Sequence, residues 1–151
     1  MPANDNLNLL KITNFNRAII YWSVEENDVA FQPCSPADQQ AKDAQGSLQA
    51  PECYGDPSKE EYDPVVADTW SYGAVLFFMA TGGEKTGPYD ATRQSSNLEE
   101  EVQGAVKAVA GIVEPAGKEL LGGLLKTNAG ERIPHGFIGK SEWFEKAKKV
   151  S

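Results

Sequence analysis

The chain is poor in the side chains that hold metals or move protons near neutral pH. Its 151 residues include one histidine and two cysteines. His135 stands between Pro134 and Gly136, in an expected turn, with no partner in the neighbouring sequence, and is not read as a catalytic base. Cys34 and Cys53 form no CxxC pair and have no histidine nearby, so free thiols in a reducing compartment are expected rather than a metal site or a disulfide. Ser71 lacks the Gly-x-Ser-x-Gly setting of a nucleophile elbow. The pairs Gly82-Gly83 and Gly122-Gly123 lack the Gly-Lys-Ser/Thr context of a phosphate loop.

Excess basic charge is missing as well. Fourteen lysines and arginines face 22 acids, a net charge of −8, which argues against nucleic acid and anionic membranes as partners. The basic cluster of Lys140, Lys146, Lys148 and Lys149 reads as a solvated helix face. No basic-then-apolar leader opens the chain. The most apolar run, Val65 to Ala80, is broken by Asp68 and falls short of the roughly 20 residues of a membrane span. The expected setting is the cytosol or nucleus.

What is present is ordinary globular composition, 40% hydrophobic and 24% charged, at a length that suits one domain. Short strands are expected at the front, over 7–13 and 17–22. The stretch 23–49 shows no period and reads as a long loop. From there the pattern is helical. Asp63-Pro64 is a helix start and Gly82-Gly83 a stop, and the run between them is apolar almost all round, which predicts a helix buried on every side. Ser96 with Glu99 matches a capping box for a helix ending near Gly111. A further helix is expected from about Pro115 to Lys126, and a Ser141-capped helix carries Trp143 and Phe144.

Six stretches resemble the serine/threonine protein kinase family in the family's own order. Leu10-Lys11-Ile12-Thr13-Asn14-Phe15-Asn16 resembles the strand and turn of the magnesium-binding Asp-Phe-Gly. Ala50-Pro51-Glu52 is the Ala-Pro-Glu that closes the activation segment. Asp68-Thr69-Trp70-Ser71-Tyr72-Gly73 matches Asp-x-Trp-Ser-x-Gly of the central helix, and Gly87-Pro88-Tyr89-Asp90 the Pro-Phe-Asp that follows. Leu124 to Ile133 resembles the late leucine-rich helix and its arginine, Arg132. Trp143-Phe144 resembles the terminal Trp-Phe. The flavour is that of the calmodulin-dependent and testis-specific branches.

The resemblance implies a mainly α fold, a truncated kinase-like large lobe with at most two short strands at its N-terminus. It implies a single partial domain over 1–151: front strands in 1–22, an activation-segment-like loop in 23–49 and a helical core in 50–151. It pairs Glu52 with Arg132, gives Asp68 the task of holding the catalytic-loop backbone, and makes Ala50, Pro51, Trp70 and Gly73 structural. It also implies a lost activity. The family's magnesium aspartate is replaced by Asn14, an amide without charge for a hard cation. The small lobe, the glycine-rich loop and the His-Arg-Asp segment have no counterpart in these residues, and Gly46 to Gln49 is two residues shorter than the family's substrate loop. No catalytic or metal residue is assigned. No cofactor is expected, although the family uses ATP and magnesium. The favoured role is a non-catalytic, pseudokinase-like binder of a protein partner, a kinase or a kinase regulator, with Leu9, Ile19 and Tyr21 partly uncovered. The alternative is part of a serine/threonine kinase whose N-terminal portion is not represented.

Overall fold

The computed structural model describes residues 22–25, 27–29, 34, 48–54, 61–85, 87–90, 95–109, 111–112 and 114–148. The chain divides into two compact units, Met1–Gln32 and Pro33–Ser151. In the first, β1 (Trp22–Ser23) pairs antiparallel with β2 (Asp28–Val29), Trp22 opposite Val29 and Ser23 opposite Asp28. Asn27 turns the chain between them at φ 51°, a left-handed conformation that asparagine tolerates well. The stretches 7–13 and 17–21, expected to be strands, lie outside the described residues, as do Asn14, Leu9, Ile19 and Tyr21. β2 falls within the stretch expected to be loop, because two-residue strands are too short to show alternation.

The second unit is helical: α1 (Pro64–Ala80), α2 (Leu98–Lys107), α3 (Pro115–Leu124) and α4 (Glu142–Lys148), with 3-10 turns at Pro51–Cys53, Ala129–Glu131 and His135–Lys140. α1 begins as its local chemistry dictates. The Asp63 carboxylate accepts from the Val65 N–H at 2.8 Å and the Val66 N–H at 3.4 Å, and Pro64 fills the first position, where no N–H is needed. It ends at Gly82 and Gly83, both at positive φ, whose N–H groups reach back to Met79 O and Phe78 O.

Three expected helix ends are displaced. The α2 cap is Asn97, not Ser96: its side chain accepts from the Glu100 N–H and donates to the Glu100 carboxylate. The box has shifted by one residue because Glu99 is turned away, towards Thr127. α2 also stops at Lys107 rather than near Gly111, which lies where a Cβ would meet Ala80 O at 2.1 Å. α3 ends two residues early, at Leu124, and the Gly122 carbonyl that a helical Lys126 N–H would use accepts from Gln103 instead. Ser141 precedes α4, but its buried hydroxyl has no partner among the described residues.

One core gathers Trp70, Ala74 and Phe77 of α1 with Val102 and Val106 of α2 and Leu121 and Leu125, joined by Ala50, Cys53 and Tyr62. A second joins Leu120, Leu124 and Ile138 to Trp143 and Phe144. Cys34 is tied to Tyr62 by a pair of backbone hydrogen bonds of 3.0 and 2.9 Å. α1 and α3 approach closely at Gly73, where a Cβ would come within 2.8 Å of Leu124 Cβ and 3.1 Å of the Leu125 side chain. Gly123 is needed for a similar reason, as Ile133 fills the space a Cβ would occupy. α2 is bound to the end of α3 by Gln103, whose amide donates to Gly122 O and Leu125 O, carbonyls the helix leaves open.

α1 is not buried on every side. Trp70, Ala74 and Phe77 are fully covered, whereas Val75 is 52% and Met79 68% exposed. An all-apolar sequence states what a helix could bury, not what is present to bury it. Replacing Gly73 by alanine forces α1 and α3 apart and is expected to cost about 1–3 kcal/mol. A lowered urea midpoint at unchanged slope would show it.

Candidate functional site

The site is built on Arg132, which is 5% exposed. A guanidinium has five N–H donors, and here they make four hydrogen bonds. Nη1 and Nη2 grip the two oxygens of Glu52 at 2.5 and 2.6 Å, Nη1 also donates to Val66 O at 3.1 Å, and Nε donates to Lys126 O at 2.8 Å. The planar group lies 5.2 Å from the Trp70 ring centre, a cation–π contact. Tyr89 meets Trp70 edge-on at 5.8 Å and donates its hydroxyl to Gln49 O at 3.4 Å. Glu52, Trp70 and Arg132, taken from three distant stretches, therefore converge. Ala50 is fully buried beside them, and Pro51 opens the 3-10 turn that carries Glu52. Gly73 lies one helical turn further on, against α3.

Nothing in the sequence marks Tyr89 and Gln49 as partners. Tyr89 stood in a motif, yet nothing in the spacing tied it to a backbone carbonyl 40 residues away. Burial governs the protonation of this corner. It is the main reason the Cys53 thiol is pushed up to about 11, with the Glu52 charge adding to it, so the thiol stays protonated and unreactive at neutral pH. Burial likewise raises Tyr89, reinforced by Tyr54.

Asp68 is placed differently. It is exposed on the outer face of α1, in line with Tyr72, Val75 and Met79, which are 44, 52 and 68% exposed. At 100° per residue these four fall within an arc of about 60°, a stripe about 16 Å long. Phe78 flanks it, 41% exposed. The sequence does not distinguish this seam, because the apolar residues of the buried and open faces are of the same kinds.

A half-exposed latch joins α2 to the loop after α3. Glu99 accepts from the Thr127 hydroxyl at 2.6 Å, the Thr127 N–H at 2.9 Å and Lys126 Nζ at 3.1 Å. Partial burial pushes its carboxyl up, but the Thr127 and Lys126 bonds outweigh that and hold it below its ordinary 4.5. Among the described residues, no group of three or more His, Cys, Asp or Glu is placed to hold a metal. None of their helices is long and apolar enough to cross a membrane. His135 is exposed in its 3-10 turn.

Removing one member of the buried pair tests it. Glu52→Ala leaves Arg132 charged and enclosed, at an expected cost of about 3–5 kcal/mol. Arg132→Met is expected to cost less, because the Glu52 side chain is 20% exposed against 1% for Arg132 and keeps its access to water. Urea unfolding of both variants would rank them. For Glu99, a folded pKa below the unfolded one means that its contribution is full above about pH 4.5 and is lost as pH falls through the lower folded value. Thermal melts over about pH 6 to 3 should therefore show a smaller acid-side loss in Glu99→Gln than in the unaltered chain.

No family model matches the chain, and no solved structure matches it. Among curated proteins, it is 31% identical over 94 residues to the serine/threonine-protein kinase SRK2B of Arabidopsis thaliana. The alignment covers 59% of this chain and 25% of that kinase. The chain thus spans about a quarter of the length of the curated relative it matches, and its similarity to a serine/threonine kinase is partial.

Proposed function

We propose that the chain is a kinase-like helical platform that binds a protein without transferring phosphate. The observation that carries this reading is the open face of α1. Its inner face is locked into the core by Trp70, Ala74 and Phe77, so Tyr72, Val75 and Met79 are held out on a rigid helix. Large apolar side chains exposed side by side mark contact surfaces. The loss of catalysis rests on the sequence. Asn14 offers an uncharged amide where phosphoryl transfer uses a carboxylate to hold magnesium. A partner that is itself a kinase, or a regulator of one, fits a fragment that copies part of a kinase surface. Cytosol or nucleus is the setting this reading requires.

A second reading has one observation in its favour, the coverage of only 25% of SRK2B. In it, these residues are part of a longer serine/threonine kinase, and the α1 face is covered by the rest of the same polypeptide.

A photo-crosslinking residue placed at Val75 in cells separates the two. An adduct with a different polypeptide is expected. Adducts confined to a longer version of the same chain would favour the second reading, and no adduct at all would remove the α1 face from consideration. Magnesium-dependent phosphotransfer by the purified chain would overturn the non-catalytic assignment outright.

A further inference from the structure

Resting on that reading, we infer that the α1 face takes a short amphipathic helix carrying lysine or arginine at the end that meets Asp68. The charge around the stripe sets this polarity. α1 contains no lysine or arginine, and its one charged side chain, Asp68, lies in the seam itself, exposed. At the same end of the helix Asp63 and Glu61 are exposed too. Three carboxylates outweigh the roughly half positive charge of a helix N-terminus. At the far end the exposed residues Glu84 and Lys85 cancel. Among the described residues, the face is therefore apolar along its middle, strongly negative at one end and only weakly so at the other, where the helix C-terminus adds about half a negative charge.

Size points to a helix rather than a domain. A stripe of about 16 Å is three helical turns. Four part-exposed side chains offer much less than the roughly 800 Å² that each partner of a standard interface buries. A single helix laying an apolar row against such a seam is a known mode of recognition. A second copy of this chain suits the face less well. Its α1 would bring no cation to Asp68, and a net charge of −8 on each copy opposes approach.

The test uses the whole chain and two fluorescein-labelled helical peptides of about 14 residues. Both carry a leucine seam. One has two lysines at one end, and the other has glutamates in their place. Anisotropy titrations at about 0.15 M salt are expected to rank the lysine peptide ahead, by about two- to fivefold for each exposed ion pair formed. Asp68→Lys should invert that ranking. Glu119→Gln, a change of charge on the exposed side of α3, should leave it unchanged. Val75→Glu, checked for intact helicity by circular dichroism, should abolish binding of both peptides.

Equal affinities, or a ranking that follows Glu119 as closely as Asp68, would overturn the basic preference while leaving the α1 face as a binding surface. Failure of both peptides would overturn the inference. Sedimentation showing dimers that Val75→Glu dissolves would assign the face to a second copy instead. Loss of both peptide binding and the Val75 crosslink would take the underlying reading down with it.

Discussion

The helical unit depends on a charge that cannot be left alone. Arg132 is enclosed, and a guanidinium does not shed its proton, so the fold must satisfy it where it stands. Glu52 supplies the opposite charge, Val66 and Lys126 supply carbonyls, and Trp70 supplies a π face. Those partners belong to the 3-10 turn at Pro51–Cys53, the first turns of α1 and the chain beyond α3. One side chain thus sets three backbone segments relative to one another. The pair spans 80 residues of sequence. Closing so long a loop has a chain-entropy cost that a single ion pair does not offset, so the contact consolidates helices already packed rather than recruiting them.

How much of this was legible in the sequence depends on the range over which each feature is decided. Asp63-Pro64 and Gly82-Gly83 act within a turn of their own positions, and α1 starts and stops where they place it. Asn97 shows the limit of such reasoning. The capping pattern was present twice, one residue apart, and the choice between them was made by Thr127 and Lys126, which draw Glu99 away. The Glu52–Arg132 pair could be anticipated only from resemblance, since no periodicity links residues so far apart. The open face of α1 could not be read at all. Val75 and Met79 are as apolar as Ala74 and Phe77, and only the packed structure shows which pair is covered.

The proposed role, binding without catalysis, asks less of the fold than an enzyme's would. Phosphoryl transfer depends on charged groups held around a substrate to within a fraction of an ångström. Binding through one helix face needs that face to be rigid, and here rigidity comes from behind. Gly73 lets α1 seat closely against Leu124 and Leu125, and Gln103 fastens α2 to the last carbonyls of α3. The features that make α1 firm therefore lie on the side away from Asp68, where sequence change at the open face leaves them untouched.

The stacking of Arg132 on Trp70 has an optical consequence. The chain has three tryptophans, and they belong to different parts of the molecule. Trp22 lies in the hairpin, Trp143 packs on the second core at the start of α4, and Trp70 is sealed between a guanidinium and Tyr89. An indole in a dry site beside a fixed cation emits differently from one near water. Trp70 and Trp143 are thus local reporters, and single-tryptophan versions of the chain would let the arginine junction and the C-terminal cluster be followed by light, one at a time.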